Sequence, residues 1–378
     1  MDFDLSDDQR MLQQSVDRLI AERYDFESRQ GYAATPDGWS RELWAQYAEI
    51  GLLGLPFDEQ DGGFGGGSVE TMIVMEAFGR GLVLEPYLST VVLCGNLLRW
   101  GASAERRASL LPRVADGSLL LAFAHVEPQA RYELADVAAT ARPDGEGWVL
   151  DGAKRHVIHG DSADRLLVSA RLPDSPPGEV ALFLVDTMAA GLSRRAYAMQ
   201  NGWRAADVNL AGVRVAADNL IARQALPLIE KVVDVAIAAI CGEAVGSMQR
   251  ATELTVEYLK VRKQFGVPIG SFQALQHRAV DMLVAVEQAR SMAMLAAMQA
   301  YEDDPAERRR SISGAKVQMA KSGRFVGTQA VQLHGGIGVT EECQVGHYYR
   351  HLTVLEILFG DCAHHLARLA DEGGLIPV

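Results

Sequence analysis

At 378 residues the chain is too long for one simple core, so two or three subdomains are expected. It is 48% hydrophobic and 22% charged, the balance of an ordinary globular protein, and 49 acidic against 36 basic residues leave a net charge of −13. Such an acidic surface disfavours nucleic acid and anionic membrane as partners, while leaving room for local basic patches facing an anionic ligand.

The first residues, Met1-Asp-Phe-Asp-Leu-Ser-Asp-Asp8, are acidic and do not read as a signal or transit peptide. The longest apolar stretch, Val232 to Cys241, is broken by Asp234 and is too short to span a bilayer, so a cytoplasmic location is expected. Cys94, Cys241, Cys343 and Cys362 are scattered and read as reduced thiols rather than a disulfide framework or a zinc site.

Ser6 and Gln9 form a capping-box pattern with Asp7 and Asp8 in the first turn, and Met11, Leu12, Val16, Leu19 and Ile20 follow at helical spacing. Further helices are predicted at about Arg41–Ile50, Val69–Gly79, Leu88–Trp100 and Ala104–Val114. The run Asp61-Gly-Gly-Phe-Gly-Gly-Gly67 between them lacks the Lys-Ser/Thr ending of a phosphate loop and reads as a flexible turn. Short β-rich runs then appear at Leu119–Ala124, Trp148–Leu150, His156–Ile158, Leu166–Ala170, Val180–Val185 and Val208–Val215. From Pro227 the pattern is helical again, in four long amphipathic segments near Pro227–Arg262, Phe272–Asp303, Glu307–Leu333 and Tyr348–Asp371, which predict a bundle. Met292, Met294 and Met298 read as core filling. The expected division is 1–118 helical, 119–222 β and 223–378 helical.

Two motifs in the last third carry chemistry. Arg262-Lys-Gln-Phe-Gly266 offers a guanidinium fork at a helix end, and Gln332-Leu-His-Gly-Gly-Ile-Gly338 offers glycines that let backbone approach a phosphate. The plain alternative is that Arg262 caps a helix and Gly335-Gly336 ends one. Further stretches are Gly51-Leu-Leu-Gly-Leu-Pro56, Met75-Glu-Ala-Phe-Gly-Arg80, Gly152-Ala-Lys154, Ala163-Asp-Arg-Leu-Leu-Val168, Gly202-Trp-Arg204 and Asn219-Leu-Ile221. With these, the chain from about Phe3 to Ala370 resembles the acyl-CoA dehydrogenase family, in particular a small subunit that pairs with a large one.

The resemblance implies an α+β fold: an N-terminal helical domain, a middle β-barrel-like domain and a C-terminal four-helix bundle. It implies FAD held at a subunit interface. Carried over by position, Arg262, Gln264 and Phe265 would contact the FAD of an adjacent protomer, Gln273 would lie near the adenine, and Gln332, Gly335 and Gly336 near the pyrophosphate. It implies an acyl-CoA substrate, medium-chain or dicarboxylyl, and an electron-transferring flavoprotein as acceptor. The partner is either a large acyl-CoA dehydrogenase subunit or a second copy of the chain.

In that family a Glu removes the proton α to the thioester while hydride leaves the β carbon for the flavin, with the enolate-like charge stabilised by hydrogen bonds. Here the sequence departs from the pattern. Phe359 stands at the usual base position, before Gly360, and Ala236 stands at the alternative one. Asp361, Glu356 and Glu243 are the nearby carboxylates, Asp361 being the first choice as a relocated base. His364 and His365 follow within about a turn and could serve as bases, with a solvated pair at a helix C-terminus the simpler reading. The stretch that meets flavin and CoA in the family reads Val126-Glu-Pro-Gln-Ala-Arg-Tyr-Glu133, without the hydroxyl of a Thr. The flavin-ring stretch reads His156-Val-Ile158, where His156 can stack or donate and Ile158 offers only backbone. Arg131 and Arg155 are the nearby cations for a second substrate carboxylate, with a surface role the simpler reading. Three readings stay open: an active enzyme with a relocated base, a small subunit that completes a partner's FAD site, and a flavin-free acyl-CoA-binding or structural subunit.

Overall fold

A computed structural model describes residues 5–173, 175–176 and 178–374. Helix α1 (Asp7–Arg23) starts on the predicted capping box: Gln9 N donates to Ser6 Oγ at 3.2 Å and Ser6 N to Gln9 Oε1 at 2.9 Å. Its inner stripe is Val16, Leu19 and Ile20, while Met11 faces solvent. Helices α2 (Phe26–Ala33), α3 (Arg41–Glu49) and α4 (Ser68–Gly81) follow. The helix predicted at Leu88–Trp100 is present in two parts, a π-helical turn over Leu88–Gly95 and α5 (Asn96–Gly101). Side chains compete with the regular ladder there: Ser89 Oγ donates to Pro86 O and Asn96 Nδ2 to Val92 O. Helix α6 (Ala104–Ala115) completes the helical third.

The β region forms two four-stranded sheets. One has the order β1 (Leu121–Ala124), β4 (Arg165–Ala170), β5 (Ala181–Asp186), β8 (Leu220–Ala222), with β1 and β4 parallel. The other has the order β2 (Thr140–Asp144), β3 (Gly147–Ile158), β7 (Arg204–Ala216), β6 (Leu192–Ala198), all antiparallel. The runs predicted separately at Trp148–Leu150 and His156–Ile158 are one strand, β3, interrupted by register shifts at Leu150/Gly152 and Lys154/Val157. The second shift sets His156 in a left-handed backbone, φ +52°. Strands β2 and β6 were not predicted. Both are edge strands of polar or exposed residues, Thr-Ala-Arg-Pro-Asp and Leu-Ser-Arg-Arg-Ala-Tyr-Ala, without an apolar run to signal them.

Helix α7 (Leu226–Val261) leads into a short hairpin, β9 (Lys263–Gln264) and β10 (Val267–Pro268), whose turn residues Phe265 and Gly266 have φ +53° and +81°. Helices α8 (Gln273–Gln299) and α9 (Pro305–His334) follow, and α9 packs against α8, α10 (Gln344–Ile357) and α11 (Cys362–Asp371). The segment predicted as one helix from Tyr348 to Asp371 is therefore two. Phe359 (φ +58°) and Gly360 (φ +115°) leave helical space, and Asp361 caps the new helix.

Two compact units emerge. One holds α1, α4 and everything from Ile237 onward; the other holds residues 32–67 and 84–236. In the first unit α4 crosses α7 at its closest where both lack side chains. A Cβ on Gly79 would overlap Glu243 O, and one on Gly246 would overlap Glu76 O. Ser247 Oγ adds a hydrogen bond to Gly79 O at 2.9 Å. No helix among the described residues is long and apolar enough to cross a membrane.

Candidate functional site

Arg262 follows the last turn of α7, where its N donates to Tyr258 O at 2.9 Å, and its side chain is exposed. Gln264 is exposed and folds its amide onto Lys263 O, while Phe265 is 91% exposed with its ring edge-on to Phe272. Gln273 opens α8, also exposed. Gln332 lies in the last turn of α9, exposed, and Gly335 ends that helix with φ +67°. A Cβ on Gly335 or Gly336 would meet nothing within 4 Å, so their backbone opens on free space. The two motifs are neighbours: Tyr258 stacks on His334 at 4.4 Å, tying the end of α7 to the end of α9.

This is a donor set suited to the phosphates of a dinucleotide: a guanidinium, side-chain amides and open glycine backbone at a helix end. Val261, Val267, Ile337 and Val339 are exposed around it, an apolar rim that a single chain leaves uncovered. FAD, the cofactor implied by sequence, fits these residues chemically.

The base position is different. Phe359 is half-buried and its carbonyl accepts from His365 Nε2 at 3.1 Å. Ala236 is fully buried in α7. Asp361 is the N-cap of α11, its Oδ1 accepting from His364 N at 2.9 Å. Glu356 is buried and ion-paired with Arg324. Glu243 is buried against His351, Oε1 to Nε2 3.0 Å. Asp361 and Glu356 thus already have structural partners, while Glu243 lies beside His351 with its Oε2 buried and without a hydrogen bond among the described residues.

The expected solvated histidine pair at a helix C-terminus is corrected on both counts. His364 and His365 lie in the first turn of α11, and His365 is fully buried with Nδ1 at 3.1 Å from Ser313 Oγ. Burial, reinforced by Lys316 nearby, pushes its pKa down to about 3. Lys316 itself was missed by sequence reasoning. It is fully buried, donates to Leu355 O at the end of α10, and is lowered to about 8 by burial. Its signal was available in spacing, since Ile312, Lys316, Met319 and Ala320 share one buried helix face.

On the β region, Val126 is partly exposed and its carbonyl accepts from Arg155 N at 2.8 Å. Ile158 is buried, so only backbone is on offer there. His156 is exposed, with Nδ1 at 2.8 Å from Tyr197 Oη. Asp207 pairs with Arg195 at 2.7 Å and with Arg155 at 3.4 Å, so Arg155 is engaged locally; Arg131 lies over the Tyr132 ring. Although burial raises the Asp207 pKa, these partners, led by the Arg195 hydrogen bond, hold it below the usual carboxylate value.

Behind this surface Lys154 is wholly buried and donates to Glu127 Oε1 at 2.7 Å, to Ser169 Oγ at 2.8 Å and to His125 O at 3.2 Å. Glu127 also accepts from Ala138 N and Ala139 N. One ion pair therefore fastens the segment after β1, the loop before β2, and strands β3 and β4.

Models of the acyl-CoA dehydrogenase N-terminal, middle and C-terminal domains match residues 6–118, 122–212 and 226–373. Acyl-CoA dehydrogenase FadE12 of Mycobacterium tuberculosis is 33% identical over 310 residues, 80% of this chain and 79% of that one. Among solved structures, the Tcur3481-Tcur3483 steroid ACAD G363A variant is similar with TM-score 0.87 and 30% identity over 97% of each chain. The ChsE4-ChsE5 complex from Mycobacterium tuberculosis is similar with TM-score 0.89 and 26% identity over 100% of each.

Proposed function

The chain belongs to the acyl-CoA dehydrogenase family of FAD-dependent oxidoreductases, and from that premise we propose that it is the small subunit of a heteromeric acyl-CoA dehydrogenase. In this reading it completes a FAD site shared with a large subunit, and the large subunit carries the base. The observation that carries the reading is Phe359 at the base position, with Asp361 spent on a helix cap, Glu356 on Arg324, and Glu243 buried beside His351. Two of the similar structures bear two-component names, which supports a paired assembly.

FAD supplies the hydride acceptor when bound. Arg262 would offset charge on its phosphates, Gln264 and Phe265 would contact it, Gln273 would lie toward the adenine, and Gln332 with the backbone of Gly335 and Gly336 would meet the pyrophosphate. Resemblance to the small subunit of pimeloyl-CoA dehydrogenase supports a medium-chain or dicarboxylyl acyl-CoA as substrate. An electron-transferring flavoprotein in the cytoplasm completes the proposal.

The test is a visible spectrum of the purified chain, alone and with its large partner, followed by medium-chain acyl-CoA and a dye acceptor. FAD colour with dye reduction only in the presence of the partner is expected. Turnover by the isolated chain, abolished in Asp361→Asn, would instead establish a self-sufficient enzyme with a relocated base.

A further inference from the structure

Two rings that no step above uses, Tyr258 and His334, stand between the phosphate-facing motifs. Their centroids are 4.4 Å apart and their planes 22° from parallel, a stacked pair that joins the last turns of α7 and α9. Arg262 comes one helical turn after Tyr258, and its backbone N donates to the Tyr258 carbonyl at 2.9 Å. Gln332 comes shortly before His334, and Gly335 and Gly336 follow it directly. The stack therefore lies within about one turn of each group assigned to the phosphates.

Each ring is fixed on its own helix. His334 is buried, and its Nδ1 donates to Ala330 O at 2.8 Å, one turn back. Burial lowers its pKa, which keeps the imidazole neutral at neutral pH. The turn that carries the glycines folds back against it: a Cβ at Gly338 would stand 3.1 Å from His334 Cβ and 2.8 Å from Val331 O. Tyr258 is half-buried, and its hydroxyl has no hydrogen-bond partner among the described residues, so the ring face is what it contributes. A phosphate held by a guanidinium from one helix end and by an amide and open backbone from another needs the two ends in register. Neither motif sets that register by itself; a contact between the two helix ends does.

We propose that Tyr258 and His334 are positioning residues for the cofactor phosphates, holding Arg262 and the stretch from Gln332 to Gly336 at one spacing. This rests on the reading that these two motifs face FAD. The pair acts through the groups it aligns and touches no phosphate itself.

The test uses the protein assembled with its large partner chain, freed of flavin and titrated with FAD. ADP, which carries the phosphates without the flavin ring, is titrated as a second probe. Tyr258→Leu is expected to weaken both about ten-fold, since misplacement of binding groups by a fraction of an ångström is costly. Tyr258→Phe, which keeps the ring, is expected to bind both as the unsubstituted protein does. In an Arg262→Ala background, Tyr258→Leu is expected to weaken FAD by less than about three-fold further, because the group it aligns is gone. A general loosening of the bundle would instead add its full loss in both backgrounds, and that result overturns the inference. Unchanged FAD and ADP binding in Tyr258→Leu also overturns it and leaves the proposed function standing. Should Tyr258→Leu not fold, His334→Gln, which removes the other ring and keeps a hydrogen-bond donor, carries the same expectation and is decided by the same outcomes. If the unsubstituted assembly binds no FAD, the proposed function falls and this inference with it.

Discussion

Two histidines, His125 and His365, are buried where a proton is unwelcome. Burial, with Lys154 beside one and Lys316 beside the other, pushes both down to about 3 from 6.5. The unfolded chain therefore binds protons below pH 6.5 that the folded chain refuses until about pH 3. Stability is present above pH 6.5 and falls as pH is lowered through that window, by about 1.4 kcal/mol per pH unit for each histidine. Urea unfolding at pH 7 and pH 5 should show the loss, and His365→Asn should reduce its slope. Neither histidine was legible as buried. His365 read as part of a solvated pair at a helix C-terminus, because the helix break that buries it depends on the backbone at Phe359 and Gly360. Lys154, by contrast, stood in a recognisable Gly-Ala-Lys stretch, but its partner Glu127 lies 27 residues earlier and only the sheet brings them together.

At the scale of elements, the break between α10 and α11 decides what Asp361 does. A helix begun on a left-handed Phe-Gly pair needs a side-chain acceptor for its first N–H groups, and Asp361 supplies it. Asp361→Ala should cost about 1 kcal/mol of stability, as loss of an N-cap does, and leave dye reduction by the assembled protein unchanged. A collapse of turnover at unchanged stability would restore Asp361 as the base. Periodicity did predict the long helices and the capping box at Ser6 well, because those signals are local. Among the pieces it lost were helix α2, the break between α10 and α11, the exposed edge strands β2 and β6, whose residues carry no apolar alternation, and the bulged centre of β3, where the chain stays extended through residues that look like a turn.

For the whole molecule, the groups proposed to face the cofactor lie outside the chain's own core. Arg262, Phe265, Gln273 and Gln332 are all exposed, and α8 adds exposed Val280, Leu283 and Val284. Arg262→Ala should leave the urea midpoint of the isolated chain unchanged, yet weaken FAD retention by the assembly at least ten-fold, read as loss of visible absorbance on gel filtration. An unchanged FAD affinity would remove Arg262 from the site. The helical, β, helical order and the two glycine-bearing motifs were legible because they are stretches of contiguous sequence. The engagement of Glu356 and Glu243 was not, because Arg324 and His351 are brought in by other helices; the cap of Asp361 is local but depends on the helix break before it.

The crossing of α4 over α7 at Gly79 and Gly246 has no adjustable part. Most helix contacts can drift over generations, one side chain shrinking while its neighbour grows. Here main chain rests on main chain, and any substitution at either glycine can only add atoms. The spacing of these two helices is therefore a fixed length in the molecule, to which the surrounding sequence must accommodate itself.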